Sequence, residues 1–205
     1  VITGLTAEAQ LAQRLGVVLA AGSAPARAAG RLADQGATAL LSFGLAGGLN
    51  PALTPGTIVV PGSVVTPSDR FETDAALTAW LQGGEGGVIF GGDEAVATAA
   101  EKQALRARTG ADAVDMESGA VATVARERGL RFAALRVICD PAEGDLPPAA
   151  LVALDASGGI GIVRVLASVL RQPGQIPALL RLSGQAAAAR QALMRHADCL
   201  KLPAP

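Results

Sequence analysis

The sequence has no tyrosine, one tryptophan, one histidine and two cysteines, and only 17% of its 205 residues are charged. Each shortage removes a class of protein. Cys139 and Cys199 form no CxxC pair, and His196 stands alone, so neither a zinc centre nor a disulfide scaffold is expected. No metal and no resident cofactor are expected either, and the cysteine usage suits a reducing cytoplasm. The longest apolar run, GGIGIVRVLASVLRQPG, is broken by Arg164 and closed by Arg171 and Pro173, which makes it too short and too charged to span a bilayer. The opening residues carry no secretory pattern. With a formal net charge of −1, no nucleic-acid partner is expected.

What remains is half hydrophobic, with 25 glycines and 12 prolines. That composition suits one domain over 1–205, with residues 158–205 as C-terminal helices. Short Val/Ile/Leu runs alternate with alanine-rich helical stretches. VIT, GVVLAA, ATALLSF, TIVVPGSVV, GGVIFGG, ADAVDM and LRFAALRVICD read as strands. AEAQLAQRL, SAPARAAGRLADQG, DAALTAWL, DEAVATAAEKQALRARTG and ESGAVATVARERG read as helices, the second with Ser23 as N-cap, Pro25 in its first turn and Gly36 as its stop. The alternation implies an α/β fold with a mostly parallel central sheet and helices on both faces. Ligands in such sheets bind at the carboxyl ends of strands. GLAGG, ESGA and Asp140 all fall at such ends.

Three stretches could carry chemistry. DAVDMESGAVA sets Asp115 and Glu117 at a strand-to-helix junction, where free N–H groups and the helix dipole favour carboxylates as caps, or as hydrogen-bond acceptors for a ligand's hydroxyls. Met116 between them would be an adaptable apolar wall. In RVICDPAE, Asp140 is either a loop-starting acid before Pro141 or a buried acid with a raised pKa that can give a proton near neutrality. SFGLAGGLNPALTPG has too many glycines for a simple turn, with Ser42, Gly44, Ala46 and Gly47 among them or beside them, yet it matches no dinucleotide or Walker pattern. Glu8 reads most simply as a solvated first-turn acid, Arg27 as a solvated helix arginine or an anion ligand, and His196 as a surface residue.

In order along the chain, GLAGGL with LTPGTIVVP, then VDMESGAVA, then RVICD, resemble the purine nucleoside phosphorylase and methylthioadenosine/adenosylhomocysteine nucleosidase superfamily. The opening VITGLTAEA and the tail LRQPGQIPALLRL are similar to the hopanoid-associated phosphorylases, which remove adenine from adenosylhopane. The resemblance implies cleavage of the N-glycosidic bond of an adenine nucleoside, with Asp140 at the purine, Glu117 on the ribose hydroxyls, Met116 beneath the sugar and Ala46 and Gly47 along the base. It places Glu8 near the water-activating glutamate of the nucleosidases. Ala95 stands where those enzymes put a phenylalanine against the base, with Val96 beside it as a base contact. Leu45 replaces the usual serine and Ser42 the arginine of hexameric phosphorylases, which leaves Ser42, Gly44 and Arg27 as the candidate phosphate or water site and the nucleophile open. Inorganic phosphate is the co-substrate on one reading and water on the other. Methylthioadenosine-type substrates and a non-catalytic nucleoside-binding protein remain alternatives, and the family implies a homo-oligomer.

The charge is uneven. Residues 156–205 contain six Lys/Arg against one Asp/Glu. Basic amphipathic helices can rest on an anionic membrane surface, so 158–198 is read either as a peripheral membrane contact for a lipid-linked nucleoside or as helices packed on the sheet with solvated arginines.

Overall fold

Residues 39–48 form one strand that runs straight through the glycines, past the end expected at Phe43. The computed structural model describes residues 1–16, 19–20, 24–82, 87–151 and 162–200. Its strands are β1 (Ile2–Thr3), β2 (Leu19–Ala20), β3 (Ala39–Gly48), β4 (Ile58–Val59), β5 (Pro61–Val65), β6 (Arg70–Glu72), β7 (Gly87–Gly91), β8 (Ala113–Asp115) and β9 (Arg131–Asp140). The helices are α1 (Thr6–Ala12), α2 (Pro25–Asp34), α3 (Ala75–Trp80), α4 (Ala99–Thr109), α5 (Ser118–Glu127), α6 (Pro148–Leu151), α7 (Ile162–Arg171) and α8 (Ile176–Cys199). Ser23, the expected N-cap of α2, lies outside the described residues, while Pro25 does open that helix.

The sheet is mixed. β1 pairs in parallel with β2 and β3, β3 with β9, β5 with β7, and β7 with β8. Antiparallel pairs join β3 to β8, β4 to β9 and β5 to β6. The reversal that matters is β8 on β3: Gly47 faces Val114 and Gly48 faces Ala113, so the chain beyond Val114 runs back down β3 toward Gly44.

Period-2 alternation sorts the two faces. Leu40, Phe132, Ala134 and Ile138 pack with Ala29 and Leu32 of α2 and Val121, Ala122 and Ala125 of α5. Leu41, Phe43, Ala133, Leu135 and Val137 pack with Ala12 of α1 and Ala189, Leu193 and Ala197 of α8. Each large apolar side chain so buried contributes about 1.5–3 kcal/mol, and the two layers therefore fix the register of β3 against β9.

α5 comes unusually close to the sheet at its first turn. A Cβ on Gly91 of β7 would lie 2.3 Å from the Gly119 nitrogen, and one on Gly119 would lie 2.8 Å from the Gly91 oxygen. Only two glycines allow that approach, which sets the height of Asp115 and Glu117 above β3.

The tail is partly a covering layer. α8 lays Ala189, Leu193 and Ala197 on the sheet and leaves Arg181 and Arg195 exposed. His196 is not a free surface residue: its Nε2 lies 2.9 Å from the Leu81 carbonyl oxygen and ties α8 to the end of α3. Among the described residues, no helix is long and apolar enough to cross a membrane.

Candidate active site

On β9 the alternation that turns Phe132, Ala134 and Ile138 toward α5 also turns Arg136 that way, and a register shift beyond Ile138 sets Asp140 against Gly47 instead. Each charged residue faces a glycine of β3: Gly44 opposite Arg136 and Gly47 opposite Asp140. Glycine inside a strand marks a close approach. A Cβ at Gly44 would stand 2.7 Å from Arg136 Nη1 and 2.8 Å from both oxygens of Glu8. The glycine-rich stretch therefore makes room for buried charge.

Arg136 is 1% exposed and organises the first cluster. Its Nε pairs with the Asp115 carboxylate, Nη2 donates to Ser42 Oγ at 2.6 Å and lies 3.2 Å from Glu117 Oε2, and Nη1 reaches the Leu45 carbonyl at 3.4 Å. Burial alone would lower the pKa of this guanidinium, but Asp115, Glu117 and Glu8 outweigh it and raise the value.

The acids at the start of α5 have different duties. Asp115 accepts from the Ser118 backbone N–H at 3.1 Å and from the Ser118 hydroxyl, so it caps the helix as well as pairing with Arg136. Glu117 occupies the N-cap position without making a side-chain cap bond, which leaves its carboxylate available beyond its Arg136 contact.

Glu8 corrects the reading of a solvated acid. It is 2% exposed, and its two oxygens accept from the backbone N–H groups of Leu5 and Leu45, each at 2.9 Å. The pairing of β1 with β3 brings α1 over Gly44, and burial follows from that contact. Burial pushes the Glu8 pKa up, against the opposing pull of Arg136 and the backbone bonds. Glu117 is raised to about 7, chiefly by burial, with Arg136 opposing and Asp115 and Glu8 adding to the rise.

A pH effect on stability follows. Between about 4.5, the ordinary value, and about 7, folded Glu117 keeps a proton that the unfolded chain has released, so this group makes the fold lose stability as pH rises through that window. Replacing Glu117 by Gln removes the loss. The melting-temperature gain of Glu117→Gln over wild type is expected to be larger at pH 8 than at pH 5; equal gains would contradict the burial of an ionised Glu117.

Asp140 is neither a bare loop-starter nor an isolated acid. Its Oδ2 accepts from the ammonium of Lys102 on α4, whose side chain is buried completely. Its Oδ1 accepts from the Cys139 thiol at 3.2 Å, and the carboxylate lies along Gly47, where a Cβ would come within 3.3 Å. Burial, then Asp140, raise the Cys139 pKa well above the ordinary thiol value, so the thiol keeps its proton.

The structure thus gathers Glu8, Ser42, Gly44, Asp115 and Glu117 around Arg136, and Asp140 with Gly47 four residues further along β9, about 13 Å at the usual strand rise. Other expected residues stand elsewhere. Ala46 is buried with the α5-side core. Val96 packs in a small cluster with Leu49, Leu105 and Val114, and Met116 is 38% exposed. Arg27 is exposed on α2. Among the described residues, no group of three or more His, Cys, Asp or Glu side chains could hold a metal ion.

Sequence reasoning missed Arg136, Lys102 and Ser118. Arg136 had a signal, as the one charge inside an apolar ten-residue strand. Lys102 had a fainter one, three residues before Leu105 on the buried side of α4.

The phosphorylase superfamily matches residues 11–158, well over half of the chain. The chain belongs to that superfamily. A search of curated proteins finds no significant match. Among solved structures, this phosphorylase-superfamily chain is similar to the 5′-methylthioadenosine/S-adenosylhomocysteine nucleosidase of Helicobacter pylori, with TM-score 0.64, 18% identity and 96% of each chain covered. The futalosine hydrolase of Helicobacter pylori strain 26695 gives TM-score 0.65 and 19% identity over 96% of this chain and 95% of that one. The S-adenosylhomocysteine nucleosidase of Streptococcus pyogenes gives TM-score 0.65 and 16% identity over 98% and 96%. At these identities the likeness is one of fold.

Proposed function

We propose that the chain hydrolyses the N-glycosidic bond of an adenine nucleoside. The observation that carries this reading is that one strand, β9, carries both buried Arg136 with its three carboxylates and, four residues on, a further buried acid, Asp140. Cleavage of C1′–N9 sends its electron pair to the base and leaves an oxocarbenium-like sugar. The base needs a proton, the sugar a negative neighbour and the attacking water a base. Asp140 serves the first need, Glu117 the second through the ribose hydroxyls, and Glu8 the third by taking the proton that water releases as its oxygen bonds C1′. The family and its solved nucleosidase relatives support the reaction class.

Water is favoured over phosphate by charge. A phosphate dianion at Gly44 would meet Glu8, Asp115 and Glu117, while the guanidinium beside it is already engaged by carboxylates. Leu45 offers its backbone to Glu8 and Arg136 and brings no hydroxyl.

The finer reading of the substrate is a lipid-linked nucleoside, adenosylhopane, in hopanoid biosynthesis. It rests on the similarity of VITGLTAEA and LRQPGQIPALLRL to the hopanoid-associated phosphorylases, and the exposed Leu170, Ile176 and Leu180 of α7 and α8 support it as an apolar surface near which a lipid tail could lie. On the same reading the protein acts as a homo-oligomer, with α7 and α8 touching the membrane.

Adenosine, methylthioadenosine and adenosylhopane, each with and without phosphate, test these points together. Free ribose or its 5′-substituted form is expected in both conditions, at equal rates, with base release lost in Asp140→Asn. A ribosyl 1-phosphate product would overturn the choice of water. No base released from any of the three would favour a binding protein over an enzyme.

A further inference from the structure

Lys102 sits where a purely structural account has little use for it. A fully buried ion pair adds little net stability, because desolvating both charges offsets their attraction. All three ammonium protons are nevertheless spent on one short segment: Asp140 Oδ2, the Pro141 carbonyl at 2.9 Å and the Gly144 carbonyl at 2.9 Å. Two further bonds clip the same segment to the start of α4, from Leu146 N–H to the Ala97 carbonyl at 2.7 Å and from Ala99 N–H to Asp145 Oδ1 at 2.8 Å. α4 itself is anchored at that end by Thr98, whose hydroxyl accepts from the Glu101 N–H while Glu101 reaches back to the Thr98 N–H. The segment that carries Asp140 is thus fixed to the N-terminal turn of α4 through Lys102.

We propose that Lys102 is a positioning residue for departure of the base, holding Oδ2 of Asp140 so that Oδ1 alone exchanges a proton with the purine, and stabilising the carboxylate that remains when that proton has gone. This rests on the proposed nucleosidase reaction. The step balances: a proton that Oδ1 takes up from solvent passes to N7 as the C1′–N9 electron pair passes into the purine, and Asp140 is left as the anion beside the Lys102 cation that it was at the start. The attacking water returns one proton to the protein through Glu8, and solvent restores the starting distribution.

The test compares two substrates on one enzyme preparation. Adenosine, or whichever adenine nucleoside the wild type cleaves, has a leaving group that needs a proton; p-nitrophenyl β-D-ribofuranoside has one that does not. Lys102→Met is expected to lose roughly 10–100-fold of turnover on the nucleoside, part of what a general acid supplies, and less than about threefold on the nitrophenyl riboside. Their ratio does not depend on the folded fraction, so poor folding of the variant cannot mimic the result. Asp140→Asn should show the same selectivity with a larger nucleoside loss, and Lys102→Met/Asp140→Asn should be no worse than Asp140→Asn on the nucleoside. Equal losses on both substrates, or losses that multiply in the double variant, overturn the role of Lys102. A wild type that releases no base from any nucleoside overturns the proposed reaction instead, and this inference with it.

Discussion

Arg136→Met is expected to destabilise the fold by about 3–5 kcal/mol, the usual cost of removing one partner from a buried charge cluster. Methionine fills much of the volume along β9, so the loss reports charge more than packing. Without the guanidinium, Asp115 keeps only its bonds to Ser118, and Glu117 and Glu8 lose the cation that opposes their burial. Arg136→Lys should recover part of the loss and no more. A single ammonium cannot reach Asp115, Ser42 and Glu117 together, as the planar fork does. Urea unfolding at neutral pH measures the difference. Acidification should narrow it, because protonation removes the stranded charges. Adding Asp115→Asn to Arg136→Met should restore stability if the two residues share one interaction. A loss below 1 kcal/mol, unchanged with pH, would mean that the carboxylates are solvated and that the cluster is not what holds this end of β3 and β9 together.

The same cluster shows where sequence reasoning reaches and where it stops. Strand and helix alternation is a local property, and the order of elements was readable from it down to Pro25 opening α2 and Gly110 ending α4. Strand direction is not local. Nothing in ADAVDM says that β8 runs against β3 while lying parallel to β7, yet that reversal carries Asp115 and Glu117 back toward Gly44. The division of the two acids was nearly legible: an Asp three residues before a helical N–H is well placed to cap, and Asp115 does so, while Glu117 stays free of the cap. Glu8 was misjudged because exposure was inferred from a short helix of its own, whereas its burial comes from Leu45, 37 positions away. The glycines of GLAGG exceed what a turn requires, and the strand expected to end at Phe43 runs on through them. Their reason lies in the partner strand, where Arg136 and Asp140 occupy the space that side chains at Gly44 and Gly47 would fill.

Glu8→Gln should lower turnover by about 10²–10⁴-fold, the range for a lost general base, with the smaller part of the effect on substrate binding. The amide keeps the length and most of the shape of Glu8, so Gly44 still accommodates it. It cannot take a proton from water. It also offers one acceptor oxygen where the carboxylate offers two, so either Leu5 or Leu45 loses its partner, which costs about 1–3 kcal/mol of stability. That cost lowers the melting temperature without removing a rate limb, and pH separates the two effects. In the wild type, Glu8 works only after losing its proton, and burial places that loss above the ordinary carboxylate range. The wild-type kcat/KM should therefore climb with pH on the acid side through two raised groups, Glu8 and Glu117, the second near 7. Glu8→Gln should lose one limb and keep that of Glu117, moved to lower pH because Glu8 no longer adds to its rise, while Glu117→Gln should keep only the limb of Glu8. If Glu8→Gln keeps both limbs and full turnover, water is activated elsewhere, and the backbone bonds to Leu5 and Leu45 become the whole reason for burying an acid beside Gly44.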